Sequence, residues 1–233
     1  MNILITGASG GIGSAICDEL AISENVYATG RNEKKLKKVN AKKYCVCDLS
    51  SDIHILTEFI LEHKIDVLVN NAGDYVYQEI DKTDNKSINN IFEINLIAPV
   101  RLISSAVKNM KDKNWGRIIN IGSISGVMGE AYASTYSASK AGLIGLTKAL
   151  ALELAQFNIT VNTINPGWVD TELGKNSIEN SDFSENELLQ IVPQRRYVEP
   201  KEVASLVKYL ISDSARGITG QSINLCAGLS VGI

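Results

Sequence analysis

Short runs rich in Val, Ile and Thr alternate with segments of helical period along the whole chain. The β-like runs fall near 2–6, 25–29, 43–47, 66–70, 116–122, 159–165 and 222–226. Between them, apolar spacing predicts helices over 11–22, 32–39, 50–63, 84–111, 132–155, 184–191 and 200–212. This alternation restricts the topology sharply. Successive strands run parallel, joined by right-handed crossover helices that end up on both faces of one sheet. The strands agree, because Val67-Leu68-Val69 and Ile118-Ile119 carry apolar side chains at successive positions, as a sheet covered on both sides requires. The expected fold is α/β, a doubly wound sheet of seven parallel strands. At 233 residues the chain suits a single domain, 1–233. The stretch 174–187, rich in Asn, Ser, Asp and Glu, reads as a mobile loop inside a substrate lid around 168–198.

Charge excludes some partners. With 23 Lys and Arg against 26 Asp and Glu, the net charge is −3, so the molecule as a whole attracts neither nucleic acid nor an anionic membrane. Met1-Asn2-Ile3 already begins the first strand, so no signal peptide is expected before it. No apolar run approaches the roughly 20 residues of a membrane span. A cytoplasmic protein is expected. Cysteines 17, 45, 47 and 226 lack zinc-site spacing and read as small buried hydrophobes in a reducing compartment; no metal is expected.

The stretch "ITGASGGIG" at 5–13 admits two parses. Gly7-Ala8-Ser9-Gly10-Gly11 fits the G-x-S-x-G elbow of serine hydrolases. That chemistry needs a histidine base, and the chain holds only His54 and His63, both in the predicted helix 50–63 as surface residues. The other parse is a phosphate loop, in which glycines bare the backbone and the start of a helix presents N–H groups to a pyrophosphate. The spacing here is G-x-x-x-G-x-G after Thr6, not the usual G-x-G-x-x-G. Further motifs follow in order: Asn70-Asn71-Ala72-Gly73, Asn95 in "FEINLIAPV", Ser123 in "IINIGS", Tyr136 and Lys140 in "YSASK", and "NPGWVDT" at 165–171. Together they resemble the short-chain dehydrogenase/reductase family over the whole chain, which implies a Rossmann-type domain and an NAD(P)-dependent oxidoreductase.

Tyr136 and Lys140 are four apart and so share a helix face. A free phenol, with a pKa of about 10, is a poor acid–base catalyst at neutrality. A neighbouring ammonium and an oxidised nicotinamide are expected to lower it, letting Tyr136 protonate a ketone oxygen or deprotonate an alcohol. Ser123 would hydrogen-bond the same oxygen. The resemblance adds that the lysine grips the nicotinamide ribose and that Asn95 matches an asparagine holding a water behind the lysine. It also implies that Gly7, Ser9, Gly11, Ile12 and Gly13 bind the cofactor phosphates. Asp48 and Leu49 match the adenine edge, and Asn70, Ala72 and Gly73 the adenosine ribose. Pro166, Gly167, Val169 and Thr171 match the carboxamide segment. Where a carboxylate after the second strand would bind the ribose 2′-hydroxyl, this chain has Gly30 and then Arg31, whose guanidinium suits a 2′-phosphate. NADP(H) is therefore expected over NAD(H).

The regions around Ser123 and Tyr136, with the tail "RYVEPKEVASLVKYL…INLCAGL", are most similar to 3-oxoacyl-acyl-carrier-protein reductases and polyketide ketoreductases. This implies reduction of a 3-oxoacyl thioester or polyketide-like ketone, free or on a carrier. Lys111 and Lys113 lie where a basic docking surface would be, whereas Ala155-Gln156-Phe157-Asn158 is neutral. The alternatives are a dehydrogenase of a free small secondary alcohol, polyol or sugar, and a dinucleotide-binding regulator without turnover. Arg195 and Arg196 either meet an anionic substrate or pair with Glu199 and Glu202. The helix 132–155 is apolar on more than one stripe, which predicts a homo-oligomer, a tetramer or dimer.

Overall fold

The computed structural model describes residues 1–172, 174 and 184–231. Among them, seven strands form one parallel sheet: β1 (Asn2–Ile5), β2 (Asn25–Gly30), β3 (Lys43–Val46), β4 (Val67–Asn70), β5 (Gly116–Ile121), β6 (Ile159–Pro166) and β7 (Ser222–Leu225). Their order is β3-β2-β1-β4-β5-β6-β7, all parallel neighbours. The strands stand where their apolar runs predict, and β4, β5 and β6 are buried at every position. Successive side chains feed opposite cores. Ile3 and Ile5 join a cluster with Ile16 and Leu20 of α1 (Gly11–Leu20), while Leu4 joins Leu56 and Ile60 of α3 (His54–Glu62) on the other face.

The chain winds outward through β2 and β3 and then returns to lay β4 against the free side of β1. The loops leaving β1 and β4 consequently diverge at the carboxyl edge of the sheet, the crevice where ligands bind in open α/β sheets.

The helices depart from the predicted spans where local hydrogen bonds intervene. The expected helix 84–111 is α4 (Asn85–Phe92), a π-helical turn over Glu93–Ile97, and α5 (Ala98–Lys113). The turn widens at buried Asn95, whose amide bonds outside the helix. By length and composition alone the run Asn85–Lys113 is long and apolar enough to cross a membrane. Here Leu102, Ala106 and Met110 are fully buried against the sheet. The helix expected over 32–39 shrinks to α2 (Glu33–Leu36), capped by Asn32, because Leu36 is its one buried residue. α3 starts at His54, whose N–H donates to Asp52 Oδ1 at 2.9 Å. A short α6 (Ser125–Met128), absent from the period analysis, precedes α7 (Ser134–Leu154). α8 (Glu185–Ile191) begins at a Ser184/Glu187 capping box, and α9 (Pro200–Ile211) packs on α1. Most of the expected loop 174–187 lies outside the described residues. All four cysteines are buried free thiols, with Cys17 pushed up to about 12 and Cys47 to about 11, chiefly by burial.

A buried polar chain fastens α7 to the sheet. Asn70 Nδ2 donates to Asn120 Oδ1 at 2.8 Å, Asn120 Nδ2 donates to Thr147 Oγ1 at 2.9 Å, and Thr147 and Thr163 share a hydrogen bond at 2.7 Å. Thr147→Val keeps the shape and removes the central hydroxyl. It should cost about 1–3 kcal/mol, since buried partners lose their bonds. Urea unfolding of the two proteins measures this as a lowered midpoint at unchanged slope.

Candidate active site

The carboxyl ends of β1 to β6 and the start of α7 open into one cleft of about 770 Å³. Its tightest part is the loop after β1. Thr6 Oγ1 accepts the N–H groups of Asn71 and Ala72, both at 2.9 Å. Asn71 Nδ2 donates back to the carbonyls of Thr6 and Gly7 at 2.9 and 3.1 Å. Gly7 has φ +61°, a left-handed conformation that favours glycine. A Cβ on Gly13 would lie 2.3 Å from the Gly7 carbonyl, so helix and loop approach as only glycine allows. The N-cap of α1, Gly10, offers no side-chain cap to the first-turn N–H groups, and Ser9, Gly11, Ile12 and Gly13 line the cleft there. Uncapped N–H groups at a helix start beside a bared backbone suit a pyrophosphate. The residues present therefore fit a dinucleotide.

At the end of β2, Gly30, Arg31, Asn32 and Lys35 line the wall. Lys35 is a basic residue that the sequence reading missed. Its signal was the four-residue spacing from Arg31 across an Asn32 helix cap, and it also meets Glu172 at 3.4 Å. Beyond β3, Ser50 donates to Asp48 Oδ1 through N–H and hydroxyl, at 3.0 and 2.8 Å. These bonds, with Arg31 nearby, hold the Asp48 carboxyl below its usual range. Leu49 lines the cleft beside it. After β4, Ala72 and Gly73 face the cleft, but the side chain of Asn70 turns into the sheet toward Asn120, and Asn71 takes its place in the wall. Pro166, Gly167, Val169 and Thr171 line the far side beyond β6, joined by Trp168, which sequence reasoning did not single out.

Ser123, Tyr136 and Lys140 meet in the cleft between these walls. Lys140 is 4% exposed; its Nζ donates to the Ile121 carbonyl at 2.9 Å and sits 5.8 Å from the Tyr136 ring centre. Burial pushes the ammonium down to about 8. The expected lowering of the phenol includes an oxidised nicotinamide; the protein's own groups act without it. Burial pushes Tyr136 up to about 12, a hydrogen bond with Ser123 opposes this, and the Glu130 charge adds to it. The lysine is engaged with a backbone carbonyl, so within the protein burial prevails over its charge. Asn95 stands behind the cleft wall. Its Oδ1 accepts from Asp74 N–H at 2.8 Å, and its Nδ2 donates to Asp74 O and Ser139 Oγ, both at 3.0 Å. A Cβ on Gly73 would come within 3.2 Å of Lys140 Nζ and 3.3 Å of Asn95 Oδ1, so glycine there lets lysine and asparagine converge.

Three further groups escaped the sequence reading. The Tyr75 ring meets Tyr136 edge to face, centres 4.9 Å apart. The Tyr75 hydroxyl donates to Glu130 Oε1 at 2.7 Å, and Ser125 Oγ donates to Glu130 Oε2 at 2.6 Å. All three sit in irregular segments or a single-turn helix, where no period marks a face. Arg196, by contrast, makes a two-pronged ion pair with Glu202 at 2.6 and 3.0 Å, the structural alternative of the two readings.

A phenol and a hydroxyl aimed into a dinucleotide-shaped trough are the parts of a hydride-transfer site. A profile described as short chain dehydrogenase matches residues 1–182. The chain belongs to that family. It is 38% identical over 232 residues to a 3-oxoacyl-[acyl-carrier-protein] reductase of Rickettsia conorii, covering 97% of this chain and 95% of the relative. A putative ketoacyl reductase of the granaticin polyketide synthase of Streptomyces violaceoruber is 37% identical, covering 97% and 92%. The crystal structure of a point variant of actinorhodin polyketide ketoreductase with NADPH superimposes with TM-score 0.93 at 35% identity, covering 99% and 97% of the two chains. A 4-hydroxyisoleucine dehydrogenase mutant complexed with NADH and succinate gives 0.88 at 32%, covering 99% and 98%. As a short-chain dehydrogenase, the protein is an oxidoreductase that acts on a ketone or secondary alcohol with a nicotinamide dinucleotide. Bound in the cleft, the nicotinamide supplies or takes the hydride.

Gly13→Ala drives a methyl into the Gly7 carbonyl. Because that neighbour is backbone, the loop must shift. Dinucleotide affinity should fall by about 1.4 kcal/mol or more, roughly tenfold, as titration of intrinsic fluorescence with NADPH would report.

Proposed function

We propose that this short-chain dehydrogenase is an NADP(H)-dependent reductase of a β-ketone on an acyl thioester or polyketide-like chain. The observation that carries the reading is a cleft with Tyr136, Ser123 and Lys140 at one end and Arg31 with Lys35, in place of a carboxylate, at the other. As hydride reaches the carbonyl carbon, the Tyr136 phenol gives its proton to the oxygen. Ser123 donates a hydrogen bond to the same oxygen and steadies its growing charge. Lys140 stabilises the phenolate left behind and holds the ribose, with Asn95 fixing the wall behind it. Gly7, Ser9, Gly11, Ile12 and Gly13 hold the pyrophosphate; Asp48, Leu49, Ala72 and Gly73 the adenosine; and Pro166, Gly167, Val169 and Thr171 the carboxamide. Arg31 would hold a 2′-phosphate, and Lys35 would add a second positive charge there. The relatives that reduce 3-oxoacyl and polyketide chains support the substrate class.

A second reading is reduction of a free small ketone, or its reverse. It draws on Lys111 and Lys113, which already pair with Glu153 and Asp66 and so offer little to an acidic carrier. The similarity to a 4-hydroxyisoleucine dehydrogenase points the same way. Of the expected lid 168–198, residues 173 and 175–183 lie outside the described residues. Self-association is supported by α7, whose Ala138, Ala141, Gly145 and Ala149 are exposed, as is Leu152 at 85%. Beside them a groove of about 300 Å³ runs between α5 and α7, lined by Val100, Val107, Leu146 and Leu150.

A screen following NADPH oxidation with acetoacetyl thioesters, free ketones and polyols tests the proposal. Turnover of the thioesters well above the free ketones is expected; the reverse order sinks it. Tyr136→Phe should lower kcat about a thousandfold, within the range for a lost general acid, while NADPH binding stays near wild type. Arg31→Asp with Lys35→Ala should raise the KM for NADPH roughly 10- to 100-fold, the loss of charge-assisted bonds, and leave that for NADH little changed. Steady-state kinetics with each coenzyme reads this out.

A further inference from the structure

Among the described residues, the charged side chains lining the reacting end of the cleft are Lys140, Asp74 and Glu130. Lys140 is turned to the Ile121 carbonyl at 2.9 Å. Asp74 is spent on its own surroundings, with Oδ1 accepting the Tyr75 N–H at 3.0 Å and Oδ2 accepting Asn90 Nδ2 at 3.1 Å. Arg195 and Arg196 do not line the cleft; they bond Gln190 and Glu202. Glu130 is held on two sides by neutral donors. Its Oε1 accepts the Tyr75 hydroxyl at 2.7 Å and its Oε2 the Ser125 hydroxyl at 2.6 Å. Its backbone N–H donates to Ser137 Oγ at 3.1 Å, which pins this turn to α7. Hydroxyl donors fix a carboxylate in place without cancelling its charge, and they leave lone pairs facing the cleft. The carboxylate is also close to the reacting groups. Ser125 Oγ lies 3.1 Å from Ser123 Oγ, and the Tyr75 ring meets the Tyr136 ring with centres 4.9 Å apart. Its field reaches the phenol, since burial and then the Glu130 charge raise Tyr136.

We propose that Glu130 is a specificity-determining residue, whose fixed charge keeps a substrate carboxylate from lying beside the reacting ketone. The enzyme then takes β-ketones whose acyl end is a neutral ester or thioester and rejects the free β-keto acid. The proposal rests on the reading above that Ser123 and Tyr136 hold the ketone oxygen. In a β-keto acid a single methylene separates the carboxyl carbon from the ketone carbon. With the ketone oxygen on Ser123 and Tyr136, that carboxylate has to sit within a few ångströms of them, on the ground Glu130 already charges. It would give up its water there, meet a like charge and find no unengaged cation among the described residues. Esterification removes the charge and leaves the ketone as it was, so a neutral thioester meets none of this opposition.

Acetoacetate and its methyl ester differ by one charge and one methyl group. The quantity to measure is the ratio of kcat/KM for the ester to that for the acid, with NADPH at neutral pH. Any effect of a variant on the phenol or the coenzyme is common to both substrates and cancels in the ratio. The wild-type enzyme should favour the ester strongly. Glu130→Gln keeps the size of the side chain and removes the charge, and should lower the ratio about tenfold or more, the scale of two like charges roughly 10 Å apart at a half-buried site. Tyr75→Phe removes one hydrogen bond to the carboxylate but keeps its charge, and should retain most of the discrimination. An unmoved ratio in Glu130→Gln, or an equal fall in Tyr75→Phe, overturns the proposal. The affinities of the two compounds for the NADP⁺ complex, read by quenching of tryptophan fluorescence with Trp168 in the cleft wall, give the same ratio without turnover. Thioesters reduced no better than free ketones would sink the substrate class proposed above, and the affinity ratio would still judge Glu130.

Discussion

A sheet buried on both faces has only its strand ends to offer a ligand, and this constraint orders the rest of the molecule. β4, β5 and β6 commit every side chain to packing, so chemistry must sit in the loops just past their carboxyl ends. The reversal of winding between β1 and β4 opens a gap there. Thr6 and Asn71 then tie the two diverging loops together with four hydrogen bonds. The glycine loop gains its shape from that tie.

The reacting end shows how burial competes with charge. Lys140 and Tyr136 lie on one helix face, yet the ammonium is turned to the Ile121 carbonyl, and removal from water raises the phenol and lowers the amine together. Both shifts favour neutral forms, as expected when two ionisable groups leave water side by side. A cationic nicotinamide, if bound in the cleft, would add positive charge that favours the phenolate. The acidity of Tyr136 thus belongs to the assembled site and not to the Tyr–Lys pair alone.

Which parts were legible in the sequence follows from where periodicity reaches. Strands announced themselves because two-sided burial forces apolar residues at successive positions. Tyr136 and Lys140 were legible because a helix turns a spacing of four into a shared face. Gly7, Gly11 and Gly13 were legible because close backbone approach tolerates no other residue. Side-chain direction at the end of a strand carries no such mark, so Asn70 and Asn71 could not be told apart from the sequence. The π-helical turn at Asn95 depends on bonds to Asp74 and Ser139 that lie 21 and 44 residues away. Glu130, Tyr75 and Ser125 come together from irregular segments and a single-turn helix, where no period points to a face. The strength of burial at Tyr136 was not legible, because proximity to Lys140 does not reveal where the lysine hydrogen goes.

The two ends of the cleft differ in what holds them. Arg31 lies just before, and Lys35 within, a four-residue helix with one buried side chain, Leu36. Tyr136 and Lys140 ride on a 21-residue helix bolted through Thr147 into the middle of the sheet. That end of the cleft thus sits on a segment that carries almost none of the fold's weight, so its side chains can change without disturbing the core. Tyr136 and Lys140 are held far more firmly, because any change that moves them must first unpick the interior.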